Sequence, residues 1–186
     1  MVSPASPHVP RKVPSGLIHD WIGAVFISGA TLDDVLRVVR SYGRYKEFYR
    51  PTVIDSRLIR SEDLTDEFSV LLVSKSTVAK TALDAEFQVS HVRIDDHHCL
   101  DITKSTRIQE VADYGLTTQH TLPEGEGKGL IWRLHSVARF EERDGGVYFE
   151  VEAIALSRDI PPTLRWLVGS MVRRVSISSL MTSPSA

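Results

Sequence analysis

Alternation of apolar and polar residues predicts that most of the chain is β-structure. The longest such pattern runs through residues 129–159 and is interrupted at Asp144-Gly145. Glycine accepts a positive φ, and an Asp-Gly between two strand-like runs is a strong hairpin signal. A two-residue turn at this point pairs Phe140 with Phe149, so the two strands share one apolar face.

The two faces of this predicted hairpin differ in character. The apolar face carries Leu130, Trp132, Leu134, Ser136, Ala138, Phe140, Val147, Phe149, Val151, Ala153 and Ala155. Small side chains interrupt the large ones there, which leaves space above the sheet. The opposite face carries the ionisable residues Arg133, His135, Arg139, Glu150 and Glu152. The apolar face is therefore the candidate wall of a pocket.

Three helices are predicted, and two of them are short. Thr31 is a good N-cap and Asp34 resembles the second half of a capping box, so the first helix begins there. The second spans residues 44–49 and ends before Pro51. The third is long, because apolar residues recur at steps of three and four through residues 161–180. Twenty helical residues span about 30 Å, which is enough to cross a sheet of this size.

The remaining segments complete a sheet of seven strands. Besides the hairpin, strands are predicted at residues 17–27, 53–60, 67–74, 80–94 and 99–112. Alternation in the last of these places Ile102, Ile108 and Glu110 on one face and Thr103, Ser105 and Arg107 on the other. This order predicts an α+β fold, in which a curved seven-stranded antiparallel sheet wraps around the long C-terminal helix. Two short helices lie between strands 1 and 2.

Length and composition indicate one globular domain. At 186 residues with 42% hydrophobic residues, the chain can bury a sizeable core. We expect residues 16–181 to form this domain. Residues 1–15 contain four prolines and no apolar period, so they are predicted to be an extended or flexible tail. Residues 182–186 are predicted to be a short C-terminal tail.

Charge and cysteine content limit the classes of partner. The net charge of −2 gives no reason to expect nucleic acid, and no apolar run approaches the roughly 20 residues of a membrane span. Cys99 is the only cysteine, which fits a reducing, cytoplasmic location. His97 and His98 precede it, but adjacent strand residues point apart and no second cluster at zinc spacing exists. We therefore expect neither a metal nor a cofactor.

Two segments carry a resemblance to a known superfamily. Residues 29–58, GATLDDVLRVVRSYGRYKEFYRPTVIDSRL, combine a capped helix, a break, a short helix ending near a proline and a strand. Residues 147–168, VYFEVEAIALSRDIPPTLRWLV, lead from the last strand through prolines into the long helix. This order resembles the START/Bet v 1-like (SRPBCC) superfamily with its helix-grip fold, over residues 16–180, and looks most similar to bacterial members of unassigned function. The resemblance implies a cavity between the sheet and the last helix that holds a lipid, polyketide, steroid or other apolar ligand.

Binding or carriage of a hydrophobic small molecule or lipid is the leading functional hypothesis. Apolar ligand surface is expected to contact Phe87, Trp132, Leu134, Phe140, Phe149, Val151, Leu164, Val168 and Met171. Arg107 is a candidate partner for an anionic group of the ligand. His19 is interpreted as a hydrogen-bonded structural histidine.

Two other functions stay open at the level of sequence. A polyketide cyclase or aromatase-like enzyme needs ionisable residues inside the cavity, and the candidates are Arg133, His135 and Glu152. Because burying five ionisable groups is costly, cross-strand ion pairs on a solvent-exposed face are the simpler interpretation, and we expect binding rather than catalysis. Alternatively, strand 53–60 at an exposed sheet edge pairs with another chain. The sequence does not indicate an oligomeric state.

Overall fold

A computed structural model of the protein describes residues 2–5, 10–75, 80–127 and 131–158. The described residues form ten strands, two α-helices and a 3-10 turn. In chain order these are β1 (Val2–Pro4), β2 (Arg11–Val13), β3 (Gly16–Ser28), α1 (Leu32–Val39), the 3-10 turn Tyr42–Arg44, α2 (Tyr45–Phe48), β4 (Val53–Glu62), β5 (Thr65–Lys75), β6 (Lys80–Arg93), β7 (His98–Ala112), β8 (His120–Thr121), β9 (Arg133–Arg143) and β10 (Gly146–Ser157).

The strands form one curled, antiparallel sheet. Its seven long strands follow the order β3-β10-β9-β7-β6-β5-β4, so the first two long strands lie at opposite ends. The connection between those two strands must therefore cross the sheet, and α1 and α2 form it. The predicted antiparallel order, with two short helices between the first two long strands, agrees with this sheet, but the predicted number of seven strands is wrong, because the short strands β1, β2 and β8 bring the number among the described residues to ten. The predicted helix at residues 161–180 lies outside the described residues.

The hairpin of β9 and β10 has the predicted turn and register. Asp144 and Gly145 have φ values of 55° and 72°, which a type I′ turn requires of both central residues. Phe140 lies opposite Phe149 in the ladder, and their rings stack with centroids 5.0 Å apart. The turn thus fixes which side chains of the two strands share a face.

The described N-terminal residues differ from the predicted flexible tail. Val2–Pro4 and Arg11–Val13 are strands that pair with β3. Without them, the outer edge of β3 would expose unpaired backbone groups. Pro10 and Pro14 flank β2, so neither removes a donor from it. The segment that follows β7 likewise contributes β8, a two-residue strand paired with β7 that the sequence did not predict.

Helix α1 begins where the sequence predicts. The Asp34 amide donates to Thr31 Oγ1 at 3.2 Å, and the Thr31 amide donates to Asp34 Oδ2 at 3.3 Å, which completes a capping box. The amide of Leu32 also donates to Glu142 Oε2 on β9 at 2.6 Å. The buried face of the helix consists of Leu32, Val35, Leu36 and Val39. These contacts fix α1 on the β9–β10 hairpin.

A bulge in β7 reverses the alternation predicted for that strand. Phe87 of β6 lies opposite Ser105, but its neighbour Glu86 lies opposite Arg107, so Thr106 is an extra residue. Before the bulge Ser105 is buried, and after it Ile108 is buried. The predicted grouping of Arg107 with Ser105 is therefore wrong, because an inserted residue changes the face on which all later side chains lie.

Strand β4 is an edge of the sheet, as the partner-binding alternative requires. Its ladder with β5 skips Ile54 and Ile59, which are bulged residues with exposed side chains. Bulges bend an edge strand and interrupt the row of groups to which another strand would pair. The geometry of β4 thus disfavours edge-to-edge pairing.

Candidate functional site

The sheet has an inner face of buried side chains and an outer face of mostly exposed ones. On β10, for example, Val147, Phe149, Val151, Ala153 and Ala155 point inward, and each is at most 2% exposed. Helix α1 packs on the inner face near Phe140 and Phe149. Among the described residues, no helix has both the length and the apolar character needed to cross a membrane.

Small side chains occupy the central part of the inner face. In the strand ladders Ala153 lies between Trp21 and Ser136, and Ser136 in turn lies opposite Thr103. Ala155 and Ala138 continue this surface, and both are buried. We call Ala138, Ser136, Ala153 and Ala155 the small-residue floor. Its short side chains lie between larger apolar groups on either side.

The predicted ligand-contacting residues on the inner face fall into two packed clusters. Phe140, Phe149 and Val151 belong to the cluster that includes α1. Phe87 and Leu134 belong to a second cluster, in which they accompany aromatic residues of the 3-10 turn and α2. The floor runs between these clusters, since Ala153 belongs to the first and Ala155 to the second.

The other predicted contacts lie elsewhere. The Trp132 ring lies at the end of the sheet, 3.0 Å from where a Cβ on Gly16 would stand, and the Arg158 guanidinium is 5.4 Å from its centroid. Arg107 lies on the outer face, where it pairs with Glu86 at 2.7 Å. The β7 bulge accounts for that position. The remaining three predicted contacts, which lie outside the described residues, are Leu164, Val168 and Met171.

The ionisable group proposed for catalysis lies on the outer face. Arg133 and His135 are exposed. Arg139 bridges two carboxylates of β10, with Nη1 3.0 Å from Glu150 and Nη2 3.1 Å from Glu152. These are cross-strand ion pairs in contact with solvent. Arg133, His135 and Glu152 are therefore not placed to act inside an inner-face cavity.

A groove of about 600 Å³ lies on this outer face. Phe26 and Tyr148 line it with ring centroids 4.6 Å apart, and the charged residues Arg139 and Glu150 lie beside them. Its lining combines exposed and charged side chains with a few buried apolar ones, whereas the inner face is buried and mainly apolar.

One polar pair stands out on the inner face next to the small-residue floor. His19 Nε2 lies 2.9 Å from Ser157 Oγ, and both residues are buried. His19 is adjacent to Ala155 in the ladder. The prediction of a hydrogen-bonded histidine at position 19 is thus confirmed, and the pair gives this part of the inner face hydrogen-bonding capacity.

A second polar group, which the sequence did not suggest, lies where α1 ends against the sheet. Asp101 Oδ1 is 2.7 Å from Arg40 Nη2, and the same oxygen is 2.7 Å from His91 Nδ1. His91 Nε2 is 2.9 Å from Asp66 Oδ2. The four residues Arg40, Asp66, His91 and Asp101 are called the Arg40–His91 network below.

The network shifts the proton affinities of its members. Burial alone would raise the pKa of Asp101, but hydrogen bonds from His91 and Arg40 outweigh it and lower that pKa. The hydrogen bond to Asp101 raises the pKa of His91, and the bond to Asp66 adds to this effect against the opposing influence of burial. Burial, with the nearby Asp101 and Asp66 carboxylates, raises the pKa of the Tyr42 phenol.

Sequence reasoning missed this network because its residues come from four separate elements. Arg40 follows α1, whereas Asp66, His91 and Asp101 belong to β5, β6 and β7. No short motif joins them. Pairing of β6 with β7 sets His91 opposite Asp101. This contact could be foreseen only from the register of the two strands, which the alternation of apolar and polar residues does not fix alone.

No protein-family model and no curated protein matches this sequence. Solved structures, by contrast, share its fold. A fragment of a STAR-related lipid transfer protein from Xanthomonas axonopodis has a TM-score of 0.60 at 16% identity, over 91% of this chain and 96% of that one. Ara h 8.0201 has a TM-score of 0.56 at 10% identity, over 89% and 99%.

An enzyme is also similar in structure. A point mutant of norcoclaurine synthase from Thalictrum flavum, solved with a transition-state analogue, has a TM-score of 0.50 at 11% identity, over 91% of this chain and 98% of that one. At these identities the similarity concerns the fold rather than the activity. The chain therefore has a START/Bet v 1-like fold.

Proposed function

We propose that the protein binds or carries a hydrophobic small molecule or lipid on the inner face of the sheet. The observation that supports this most directly is the small-residue floor, where short side chains interrupt an otherwise large-residue apolar surface. In this proposal residues 161–180 form the predicted helix and close the cavity, with Leu164, Val168 and Met171 toward the ligand. The seven long strands then wrap around that helix.

Desolvation provides the binding energy in this proposal. Apolar ligand surface leaves water with a gain of about 25 cal/mol per Å², and a few polar groups fix orientation. The His19–Ser157 pair is suited to that second role, because it is buried beside the floor. Phe87 and Leu134 contact the ligand from one side of the floor, and Phe140, Phe149 and Val151 support the other. Trp132 at the end of the sheet is the remaining proposed contact.

The lipid-transfer protein from Xanthomonas axonopodis is one precedent for this use of the fold. A cytoplasmic location stays a prediction, based on the single cysteine. So does the assignment of residues 16–181 to one domain.

A polyketide cyclase or aromatase-like enzyme is the second candidate. The outer-face location of Arg133, His135 and Glu152 removes the residues first considered for it. The observation that keeps it open is the His19–Ser157 pair, since a histidine and a hydroxyl at 2.9 Å are groups able to exchange a proton with a bound substrate. Loss of turnover in His19→Gln, with folding retained, would favour catalysis over carriage.

Native mass spectrometry of the purified protein, followed by organic extraction, tests the binding proposal. A bound apolar molecule at defined stoichiometry is expected. Ala153→Leu fills the floor and should abolish the complex, whereas Ala24→Leu adds the same atoms to the outer-face groove and should leave the complex intact. Equal retention of the ligand by both variants would place the binding site away from the floor.

A further inference from the structure

The Arg40–His91 network has a definite requirement for protons. Carboxylate oxygens only accept hydrogen bonds, and an imidazole ring donates from both nitrogens only as the imidazolium. Both nitrogens of His91 face carboxylates, at 2.7 Å and 2.9 Å. With His91 charged, two cations and two carboxylates balance. The contacts are therefore satisfied together only in the protonated state of His91.

We propose that the Arg40–His91 network is a proton-dependent anchor that joins β5, β6 and β7 at the place where the C-terminal end of α1 meets the sheet. Arg40 is the C-cap of α1, and it donates two hydrogen bonds to Asp101, at 2.7 Å from Nη2 and 3.1 Å from Nε. His91 joins the same carboxylate to Asp66 on β5. Loss of one proton from His91 removes one of its hydrogen bonds and leaves the two largely buried carboxylates without the cation between them, which weakens the connection between β5, β6 and β7. The Arg40–Asp101 pair does not need that proton.

Among the described residues that face His91, two are carboxylates and one, Arg40, is a cation. Asp66 faces it from β5, Asp101 from β7 and Arg40 from α1. The Tyr42 phenol of the 3-10 turn lies near the two carboxylates and remains neutral, because its pKa is raised. The side chain of His91 is 10% exposed, so solvent does little to replace the lost hydrogen bond.

The anchor is mechanically connected to the second cluster of the inner face. Tyr42, two residues after Arg40, stacks on Phe68 with ring centroids 4.5 Å apart. Phe68 stacks in turn on Phe87, at 5.2 Å. Phe68 follows Asp66 by two residues on β5, so loosening this part of the strand changes the packing at Phe87, a residue proposed to contact ligand. An effect on ligand exchange rests on the proposed function, but the anchor itself does not.

The direction of the pH dependence follows from proton linkage. The pKa of His91 is raised in the folded protein. The stability that protonated His91 contributes is therefore complete below the ordinary histidine value of about 6.5 and is lost as pH rises through the raised value. Because the pKa of Asp101 is lowered, its contribution is lost only as pH falls through that lowered value. The anchor is therefore strongest in mildly acidic solution and weakens toward alkaline pH.

Hydrogen–deuterium exchange of the full chain between pH 6 and pH 9 tests the anchor. After correction for the intrinsic exchange rate, the protection of amides near Asp66, His91 and Asp101 in β5, β6 and β7 should fall by up to about tenfold per pH unit above about pH 6.5, and then level off. His91→Gln should show lower protection at pH 6 and no such slope. His98→Gln is the matched control, since His98 also contacts carboxylates but is exposed; it should keep the wild-type slope.

Protection that is independent of pH in the wild type, or an unchanged slope in His91→Gln, would overturn the proposal. If His91→Gln fails to fold, the protonation state of His91 in the wild type, measured by nuclear magnetic resonance, tests the proposal instead. An imidazolium that persists above pH 6.5 supports the anchor, and a neutral ring at pH 6.5 refutes it. If the exchange slope is present but ligand release is independent of pH, the anchor stands and its link to the cavity is refuted.

Discussion

At the scale of single residues, burial separates two phenylalanines that lie on neighbouring strands. Phe149 is 1% exposed on the inner face, whereas Phe26 is 40% exposed on the outer face. Phe149→Ala should lower the free energy of unfolding by about 3–5 kcal/mol, because it removes apolar contacts and leaves a cavity under α1. Phe26→Ala should cost about 1 kcal/mol or less. Urea denaturation measures both, and similar losses would mean that the inner face is not the core.

The reactivity of the Cys99 thiol is a second test of which side chains are buried. Its side chain is 2% exposed, and burial, together with the nearby Asp101 carboxylate, raises the pKa of the thiol to about 11. Since the thiolate is the reactive form, the folded protein should not react with a disulfide reagent at pH 8. Addition of urea should release one thiol per chain. Rapid labelling without denaturant would show that α1 leaves this part of the sheet often.

At the scale of elements, the β9–β10 turn depends on one glycine. Gly145 has a φ of 72° with open space around its Cα, so Gly145→Ala should cost about 1 kcal/mol through backbone strain alone. Gly43 also has open space, but its φ is not positive. Gly43→Ala should therefore be neutral or stabilising. Thermal unfolding of the two variants compares them, and an equal effect would contradict the turn assignment.

The elements that the sequence predicted well are those specified by neighbouring residues. Thr31 and Asp34 define the start of α1 within four positions, and Asp144-Gly145 defines the hairpin turn. The extra residue at Thr106 was not predictable, because a bulge appears only when a strand is set against its partner. Its consequence was the placement of Arg107 on the wrong face. The four residues of the Arg40–His91 network come together for the same reason, through register between distant strands.

At the scale of the whole molecule, the chain order brings the first and last described long strands together. β3 pairs with β10 along its length, from Ser28 opposite Gly146 to Leu17 opposite Ser157. This pairing creates the His19–Ser157 contact beside the small-residue floor, although the two residues are 138 positions apart. The curled antiparallel sheet was predictable from the element order. The polar pair of its candidate site was not, because neither residue alone signals the other.

A cavity above the floor would make stability depend on ligand. At about 24 cal/mol per Å³, an empty pocket of about 300 Å³ forgoes up to about 7 kcal/mol of packing. A ligand present at one hundred times its dissociation constant raises the free energy of unfolding by about 2.7 kcal/mol. For a chain of this size, that corresponds to a rise of about 5–10 °C in Tm. We expect this rise in calorimetry of the wild type with the extracted ligand, and in Ala24→Leu.

The same experiment on Ala153→Leu separates ligand binding from general stabilisation. The added isopropyl group fills part of the proposed cavity, so the variant without ligand should melt at or above the temperature of the ligand-free wild type. Addition of ligand should then leave its Tm unchanged. A full ligand-induced rise in Ala153→Leu would show that the ligand binds elsewhere, and the outer-face groove between Phe26 and Tyr148 would be the next place to test. Phe26→Ala in the same assay distinguishes that groove from the floor.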